Sequence, residues 1–298
     1  MTDPGARDDL AAPTDASAPS GVPVPDAPAV SDLPDLAVGS DVPNFPATGR
    51  RVLVSGASRG VGRAVAQAFA ANGDRVAVHF GSRRAEAEAT LASLEGTGHV
   101  LLGADVSDPV EAARLVDAAA EVLGGVDVLV NNAAVNSGPH PPATTPYDEW
   151  VAVWQRHIAV NLLGTAQLSR LAAGRMIDQG RGGRIVNIGS RGAFRGEPDH
   201  PAYGATKAAV HALGQSLAVA LAPHGIAVTS VAPGFIDTDR VAPRLAGAEG
   251  AAIRAQSPFG RVARPEEVAE AVLWLASPAA QWSSGTVLDL NGASYLRT

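Results

Sequence analysis

The chain has no cysteine, a single lysine and few aromatic residues among its 298 residues. The lack of cysteine excludes a disulfide scaffold, a thiolate metal site and a cysteine nucleophile. No apolar run reaches the roughly 18 residues that span a bilayer, and the N-terminus has no basic-then-apolar signal pattern. We therefore expect a cytoplasmic protein with no membrane partner.

Acidic charge is concentrated at the N-terminus. Residues 1–49 contain eight Asp, one Arg and nine of the 22 prolines, whereas residues 50–298 are electrically balanced. The first segment has too little apolar mass to offset the entropy of ordering, so we expect a disordered leader over residues 1–49 and one domain over residues 50–298. The neutral domain gives no electrostatic reason to bind nucleic acid.

Short apolar runs without polar alternation recur along the domain, separated by segments of helical period. This order predicts an α/β fold, a doubly wound parallel sheet between two helical layers. The predicted strands span residues 51–55, 75–80, 99–103, 126–130, 184–188, 226–231 and 286–290. The predicted helices span residues 61–71, 83–94, 109–123, 148–179, 202–222 and 264–276, while residues 237–257 have no clear strand character.

A glycine-rich turn joins the first predicted strand to the first predicted helix, with Gly56, Gly60 and Gly62 in a G-x-x-x-G-x-G pattern. Such a turn lets a pyrophosphate approach the backbone and the N-terminus of the helix. Two alternatives remain open: a tight turn without a ligand, and a serine-hydrolase elbow in which Ser58 is the nucleophile. An elbow normally follows several strands, so its position here disfavours hydrolysis.

Tyr203 precedes the only lysine, Lys207, by four residues, so the two side chains share one face of a helix. A nearby ammonium lowers the pKa of a phenol, and we expect Lys207 to bring that of Tyr203 from about 10 towards neutrality. Such a phenol exchanges a proton with a carbinol oxygen. A surface tyrosine beside a surface lysine is the alternative.

Other polar residues fall near the carboxyl ends of predicted strands, where open α/β sheets bind ligands. Ser190 follows the fifth predicted strand, thirteen residues before Tyr203, and Asn161 lies within a predicted helix, where Asn is not a favoured interior residue. The sequence Asn131-Asn132-Ala133-Ala134 follows the fourth strand, and Pro233-Gly234 follows the sixth.

Together these motifs resemble the short-chain dehydrogenase/reductase family over residues 50–298. The resemblance implies a Rossmann-type fold, a nicotinamide cofactor and a tetrad of Asn161, Ser190, Tyr203 and Lys207. Tyr203 would be the acid/base, Ser190 would bind the substrate oxygen, Lys207 would hold the ribose and tune Tyr203, and Asn161 would support a water-linked proton path. The chain departs from the family where it has Ser55, Ala134 and Asn291-Gly-Ala293.

The cofactor expected is NADP(H) rather than NAD(H). NAD-specific proteins place an acid at the end of the second strand, where this chain has Phe80 and no carboxylate before Glu86. Arginines and a serine are available there for a 2′-phosphate. The cofactor-binding residues expected are Gly56, Ser58, Arg59, Gly60, Val61, Gly62, Ser82, Arg83, Asp105, Val106, Asn132, Ala133, Tyr203, Lys207, Pro233, Gly234, Ile236 and Thr238.

The substrate is expected to be a small carbonyl or alcohol compound. Ser190, Tyr203, Phe194 and Phe235 are the candidate substrate contacts, and the histidines show no metal-ligand spacing, so no metal is expected. Segments near residues 259–261 and 285–289 resemble those of 3-oxoacyl-carrier-protein reductases. The family habit implies a homotetramer or a homodimer. A catalytically silent nucleotide-binding protein of the same fold is the main alternative function.

Overall fold

The computed structural model of the chain describes residues 45–297. The predicted leader lies outside the described residues up to residue 44. In the described part of that segment, Phe45 is 4% exposed and belongs to the core. Its ring lies 4.2 Å from the guanidinium of the buried Arg184, so a cation–π contact and apolar burial fix this residue to the domain.

Seven parallel strands form one sheet in the order β3-β2-β1-β4-β5-β6-β7. The order reverses between β1 and β4, so both carboxyl ends open onto one crevice. The strands are β1 Arg51–Val54, β2 Arg75–Phe80, β3 Val100–Gly103, β4 Val128–Asn131, β5 Gly183–Ile188, β6 Ile226–Pro233 and β7 Val287–Leu290.

Nine α-helices connect or follow the strands in the described part of the chain. Asp108 begins one of them as predicted, since its side chain accepts from the N–H groups of Val110 and Glu111 ahead of Pro109. The helices are α1 Gly60–Ala71, α2 Arg84–Ala92, α3 Pro109–Leu123, α4 Tyr147–His157, α5 Thr165–Gln179, α6 Pro201–Leu221, α7 Ala242–Ala246, α8 Gly250–Ala255 and α9 Pro265–Leu275.

The core lies on both faces of the sheet because successive strand residues point in opposite directions. In β1, Val52 and Val54 pack into the cluster shared with α1 and α9, whereas Leu53 packs into the one shared with α3 and α5. Both faces are therefore apolar, which explains the absence of polar alternation in the sequence. The predicted three-layer, doubly wound fold is confirmed.

The predicted long helix over residues 148–179 differs from the structure, which divides it into α4, a π-helical segment Ile158–Gly164 and α5. The segment contains Gly164, where a Cβ would lie 2.9 Å from Cγ2 of Val106. The helical periodicity of the sequence did not predict this division, because the chain stays helical through all three parts. No helix of residues 45–297 is long and apolar enough to cross a membrane.

Candidate active site

The turn after β1 has glycine at three positions where positive φ or close packing disfavours a side chain. Gly56 and Gly60 have φ of +65° and +54°, in the left-handed region that glycine adopts freely. A Cβ on Gly56 would lie 2.8 Å from Cα of Ala133. A Cβ on Gly62 would overlap the carbonyl oxygen of Gly56. The turn is thus packed tightly against the chain that follows β4.

Polar side chains hold this turn against the ends of β2 and β4. The hydroxyl of Ser55 accepts from the N–H groups of Asn132 (2.9 Å) and Ala133 (3.1 Å), and Asn132 Nδ2 donates to the carbonyls of Ser55 and Gly56. Sequence reasoning missed His79. This buried ring accepts from the Gly56 N–H at Nδ1 (3.0 Å), and Nε2 lies 3.0 Å from the Ala104 carbonyl. Burial lowers the pKa of His79, which favours the neutral ring.

The N-terminus of α1 has no side-chain cap, and its first turn contains no acidic residue. Its first N–H groups and positive dipole end are therefore available to an anion beside the glycines. Ser58 lies in this turn, where its backbone carbonyl accepts from Thr90 Oγ1 and Arg63. Among the described residues no histidine bonds its hydroxyl, so the hydrolase alternative lacks a general base.

Ser190, Tyr203 and Lys207 meet beyond the carboxyl end of β5. Ser190 begins a 3₁₀ turn and its Oγ accepts from the Gly192 N–H (3.0 Å). Tyr203 lies in the first turn of α6, and hydrogen bonding with the Ser190 side chain lowers the pKa of its phenol. Lys207 follows one turn later, with Nζ 5.8 Å from the centre of the Tyr203 ring. The predicted i, i+4 arrangement brings phenol and ammonium to one site.

The pKa of Tyr203 is raised, whereas the sequence led us to expect that Lys207 lowers it towards neutrality. Burial raises the pKa of the phenol, and this outweighs the lowering by the charge of Arg240 and by the hydrogen bond with Ser190. Burial likewise lowers the pKa of Lys207 to about 7, and the charge of Arg240 adds to that lowering. In this structure the phenol is therefore neutral at pH 7, in the form that donates a proton.

Asn161 lies in the π-helical segment, and its side chain hydrogen-bonds the backbone of the loop that follows β4. Its Oδ1 accepts from the Val135 N–H (2.8 Å) and its Nδ2 donates to the Val135 carbonyl (3.0 Å). Its own carbonyl accepts from Thr165 Oγ1 (2.8 Å). The side chain also reaches Thr206, the neighbour of Lys207, at 3.3 Å. Asn161 thus joins the β4 loop to α6 rather than touching Lys207.

The end of β2 carries the predicted basic residues together with an acid. Phe80 is buried, Ser82 is exposed, and Arg83 pairs with Glu86 at 3.0 Å. The charge of Arg59 also reaches Glu86, whose pKa is lowered by a backbone hydrogen bond first and by Arg83 next. Glu86 therefore already interacts with Arg83 and Arg59, the cations that a 2′-phosphate would use.

Asp105 and Val106, the two residues after β3 that are predicted to contact the adenine, differ in burial. Asp105 is exposed and Val106 is buried. Asp105 accepts from the N–H and hydroxyl of Ser107, which lower its pKa, and it pairs with Arg156 at 3.7 Å. Val106 is buried against Gly164. The Asp105 carboxylate is thus exposed and held by Ser107 and Arg156, while Val106 packs beneath the π-helical segment.

The segment after β6 crosses the site towards the glycine turn. The Gly234 N–H donates to the Leu290 carbonyl (3.1 Å), and Ile236 forms a bridge with Ala263. Thr238 lies over the turn, since a Cβ on Gly60 would be 3.2 Å from Cγ2 of Thr238. Two residues later, the positive charge of Arg240 lowers the pKa of the Tyr203 phenol, an influence that sequence reasoning missed.

The two predicted aromatic substrate contacts have protein partners. The Phe194 ring stacks on buried His211, with centroids 5.2 Å apart and planes 11° apart, and lies 4.4 Å from the Arg297 guanidinium. Phe235 lies 5.4 Å from the guanidinium groups of both Arg191 and Arg244. These contacts make Phe194 part of the packing behind Ser190, whereas Phe235 lies in a cationic surrounding.

Histidines tie the loop after β4 to the start of α6. His140 is fully buried, and its Nε2 accepts from the Ala202 N–H (3.2 Å). His140 and His200 both bond the Gly138 carbonyl through Nδ1, at 2.9 and 3.0 Å. Burial lowers the pKa of His200. No group of three or more candidate ligands in residues 45–297 is arranged to hold a metal ion.

The chain is similar to known dehydrogenases and reductases. A family model described as "Enoyl-(Acyl carrier protein) reductase" matches residues 56–292. An L-rhamnose 1-dehydrogenase (NAD(P)(+)) from a Sphingomonas species is 38% identical over 83% of this chain and 97% of its own length. A cis-4-hydroxycyclohexanecarboxylate dehydrogenase from Sinomonas cyclohexanicum is 39% identical, over 82% and 95%. A crystal structure of a short chain dehydrogenase from Burkholderia cenocepacia in complex with NADP has a TM-score of 0.74 and 33% identity, over 83% of this chain and 98% of that one.

Proposed function

The chain belongs to the short-chain dehydrogenase/reductase family of oxidoreductases, and we propose that it interconverts a ketone and a secondary alcohol with NADP(H). The observation that carries this proposal is the position of the half-buried Tyr203, whose phenol is neutral, near Ser190 and one helical turn before Lys207. A nucleotide-binding protein without catalysis has no need of this arrangement.

The residues around the glycine turn fit a dinucleotide. The uncapped start of α1 would bind the pyrophosphate, and the turn that leads into it is held by glycines packed tightly against the chain that follows β4. Asp105 and Val106 would meet the adenine, and Tyr203 with Lys207 would hold the nicotinamide ribose. When bound, the nicotinamide ring supplies or accepts the hydride. Asn132, Ala133, Pro233, Gly234, Ile236 and Thr238 would line its pocket.

Side chains of this protein carry out the proton transfer. In the reducing direction Tyr203 donates its phenolic proton to the substrate oxygen, while Ser190 donates a hydrogen bond to the same oxygen. Lys207 stabilises the phenolate that results, passes a proton to it, and would itself be reprotonated from solvent by the water-linked path that Asn161 supports. Positioned acid–base groups of this kind contribute about a hundredfold to ten-thousandfold to the rate.

The preference for NADP(H) over NAD(H) rests on Ser82, Arg83 and Arg59 near the end of β2. No carboxylate precedes Glu86 in this segment to accept from a ribose hydroxyl. A 2′-phosphate would compete with Glu86 for Arg83 and gain bidentate bonds from the guanidinium.

We propose a small-molecule substrate, a cytoplasmic location and self-association as a homotetramer or a homodimer. Relatives named for a sugar and for a hydroxycyclohexanecarboxylate support a polar cyclic alcohol or ketone. Phe235 remains the proposed apolar contact, and Phe194 is less favoured because its ring stacks on His211. Trp274 and Trp282, exposed near the last strand, support association between copies.

The test measures the reduction of a panel of ketones. The reaction is monitored by the loss of absorbance of the reduced nicotinamide. Tyr203→Phe should lower turnover at least about a hundredfold and leave NADPH affinity within about threefold. Tyr147→Phe is the matched control, because Tyr147 is 81% exposed. Wild-type protein that binds NADPH and reduces no ketone would support the catalytically silent alternative. Ester hydrolysis without nucleotide would instead support the Ser58 hydrolase.

A further inference from the structure

Residues 291–297, the post-β7 segment, return to the 3₁₀ turn of residues 190–194, the serine turn. The segment begins with a tight turn in which Ala293 has a φ of +58°, a conformation that residues with a side chain seldom adopt. Asn291 is buried and closes this turn, because its side chain accepts from the Tyr295 N–H (3.3 Å) and donates to the Tyr295 carbonyl (2.9 Å). A strained conformation of this kind persists only where the surrounding contacts fix it.

Three contacts join the post-β7 segment to the serine turn. Ser294 Oγ accepts from Arg191 Nη1 (2.6 Å). The Tyr295 hydroxyl donates to the Phe194 carbonyl (3.2 Å). The Arg297 guanidinium lies 4.4 Å from the centre of the Phe194 ring, within the range of a cation–π contact. The segment therefore holds both a side chain and the backbone of the residues that follow the serine.

Both sides of this junction are themselves anchored. Arg297 Nε donates to Asp289 Oδ2 (2.7 Å), and its Nη2 donates to the Val287 carbonyl (2.6 Å), so that β7 fixes the guanidinium. Arg191 is 5% exposed, and its Nη2 donates to Gln256 Oε1 (3.0 Å) at the end of α8. Because the partners on each side are bonded elsewhere, the serine turn is fixed relative to the sheet.

The serine turn determines where the Ser190 hydroxyl points. Its Oγ accepts from the Gly192 N–H (3.0 Å), which leaves the hydroxyl proton available to a substrate oxygen. On the side of α6 the turn is held by the Phe194 ring, which stacks on His211 with centroids 5.2 Å apart. The post-β7 segment supplies a second attachment. A displacement of a reacting group by about 1 Å is enough to lower catalysis severely.

We propose that the post-β7 segment positions Ser190 for its hydrogen bond to the substrate oxygen, with Ser294, Tyr295 and Arg297 as the positioning residues. The inference rests on the proposed function, in which Ser190 donates that bond. Hydrogen bonds within the serine turn fix its shape, whereas its contacts with the post-β7 segment fix its place. Loosening the segment therefore weakens catalysis at the substrate oxygen and leaves the cofactor site at the glycine turn unchanged.

Tyr295→Phe is the sharpest variant, because it removes one hydroxyl and keeps the ring. Tyr147→Phe is the matched control, since Tyr147 is 81% exposed. Hydrogen–deuterium exchange reports on the serine turn through the bonded N–H groups of residues 192–194. Their exchange should be about threefold to tenfold faster in Tyr295→Phe, because one neutral hydrogen bond is lost. The control should exchange like the wild type.

Kinetics on the ketone panel show whether the loosened turn affects the reaction. In Tyr295→Phe, kcat/KM for the ketone should fall by about threefold to tenfold, while the KM for NADPH stays within about twofold. Ser190→Ala alone should lower kcat/KM about a hundredfold, because a donor to the reacting oxygen is lost. Adding Tyr295→Phe to Ser190→Ala should change kcat/KM by less than about 1.5-fold, whereas independent effects would multiply.

Unchanged exchange of the serine turn in Tyr295→Phe would overturn the proposal, and so would faster exchange with an unchanged kcat/KM. A full further loss in the Ser190→Ala background would also overturn it, because the segment would then act on the site by another route. If the wild type reduces no ketone, the proposed function fails and the catalytic part of this proposal fails with it. The exchange measurement then still decides whether Tyr295 holds the serine turn.

Discussion

The ammonium of Lys207 donates a hydrogen bond to the backbone carbonyl of Ile188, 2.6 Å away, at the last position of β5. This bond joins α6 to the strand that leads into Ser190, so the acid/base helix and the substrate-oxygen donor share one fixed point. The side chain is only 4% exposed, and a carbonyl is its only hydrogen-bonding partner in the described residues. A buried ammonium with so little compensation has a measurable cost.

We predict that Lys207 destabilises the fold at neutral pH and does so less as the pH rises. Burial lowers the pKa of Lys207 from 10.5 to about 7 in the folded chain. Between these values the unfolded chain binds the additional proton, so the free energy of unfolding increases with pH through this group. Relative to Lys207→Met, the wild type should gain about 3 kcal/mol between pH 6 and pH 9.5.

Denaturant unfolding of both proteins over this range measures the difference. Comparing the two proteins cancels the titration of all other groups to first order, and the upper limit keeps Tyr203 protonated in both. A stability difference that stays constant with pH would mean that Lys207 keeps an ordinary pKa in the folded chain.

The strands and helices could be predicted well from the sequence. Because both faces of the sheet are buried, each strand is a continuous apolar run. The sequence also predicted the meeting of Tyr203 with Lys207 because helical geometry fixes an i, i+4 pair locally. The π-helical turn at Asn161 and the effect of the Arg240 charge on the pKa of Tyr203 depend on packing between distant segments, which no local pattern encodes. The pKa of Tyr203 was expected in the wrong direction because burial, unlike charge spacing, is a property of the folded chain.

Arg83 provides a second prediction, on cofactor choice. Arg83→Ala should raise the KM for NADPH about tenfold and leave the KM for NADH unchanged, because a charge-assisted bond to the 2′-phosphate is lost. Glu86→Gln should lower the KM for NADPH, since it frees Arg83 from its 3.0 Å pair. Steady-state kinetics with both cofactors measure these effects.

Arg84→Ala is the matched control, because Arg84 instead pairs with Glu88 at 2.8 Å and is 71% exposed at its side chain. An equal change in the KM values for NADPH and NADH in Arg83→Ala would exclude a role in phosphate recognition.

Gly189, between Ile188 and Ser190, has no room for a side chain, and Gly189→Ala should lower the free energy of unfolding by about 2 kcal/mol. A Cβ there would overlap the His211 ring and lie 2.9 Å from the Val231 carbonyl. Gly196→Ala is the control, since nothing lies within 4 Å of its Cβ position. The double variant with His211→Ala should recover part of the loss in chemical denaturation. An unchanged stability of Gly189→Ala would show that the His211 ring moves aside freely.

Phe45 tests where the ordered domain begins. The ring is 4% exposed and packs into the core cluster on the α1 face, under the guanidinium of Arg184 at 4.2 Å. Phe45→Ala should therefore destabilise the fold by about 3 kcal/mol, because it opens a cavity and removes the cation–π contact. Phe259→Ala removes a ring that is 76% exposed and should change stability by less than about 0.5 kcal/mol. Equal unfolding midpoints for Phe45→Ala and wild type would place residues 45–49 with the predicted leader, because a residue that contributes nothing to stability is not part of the core.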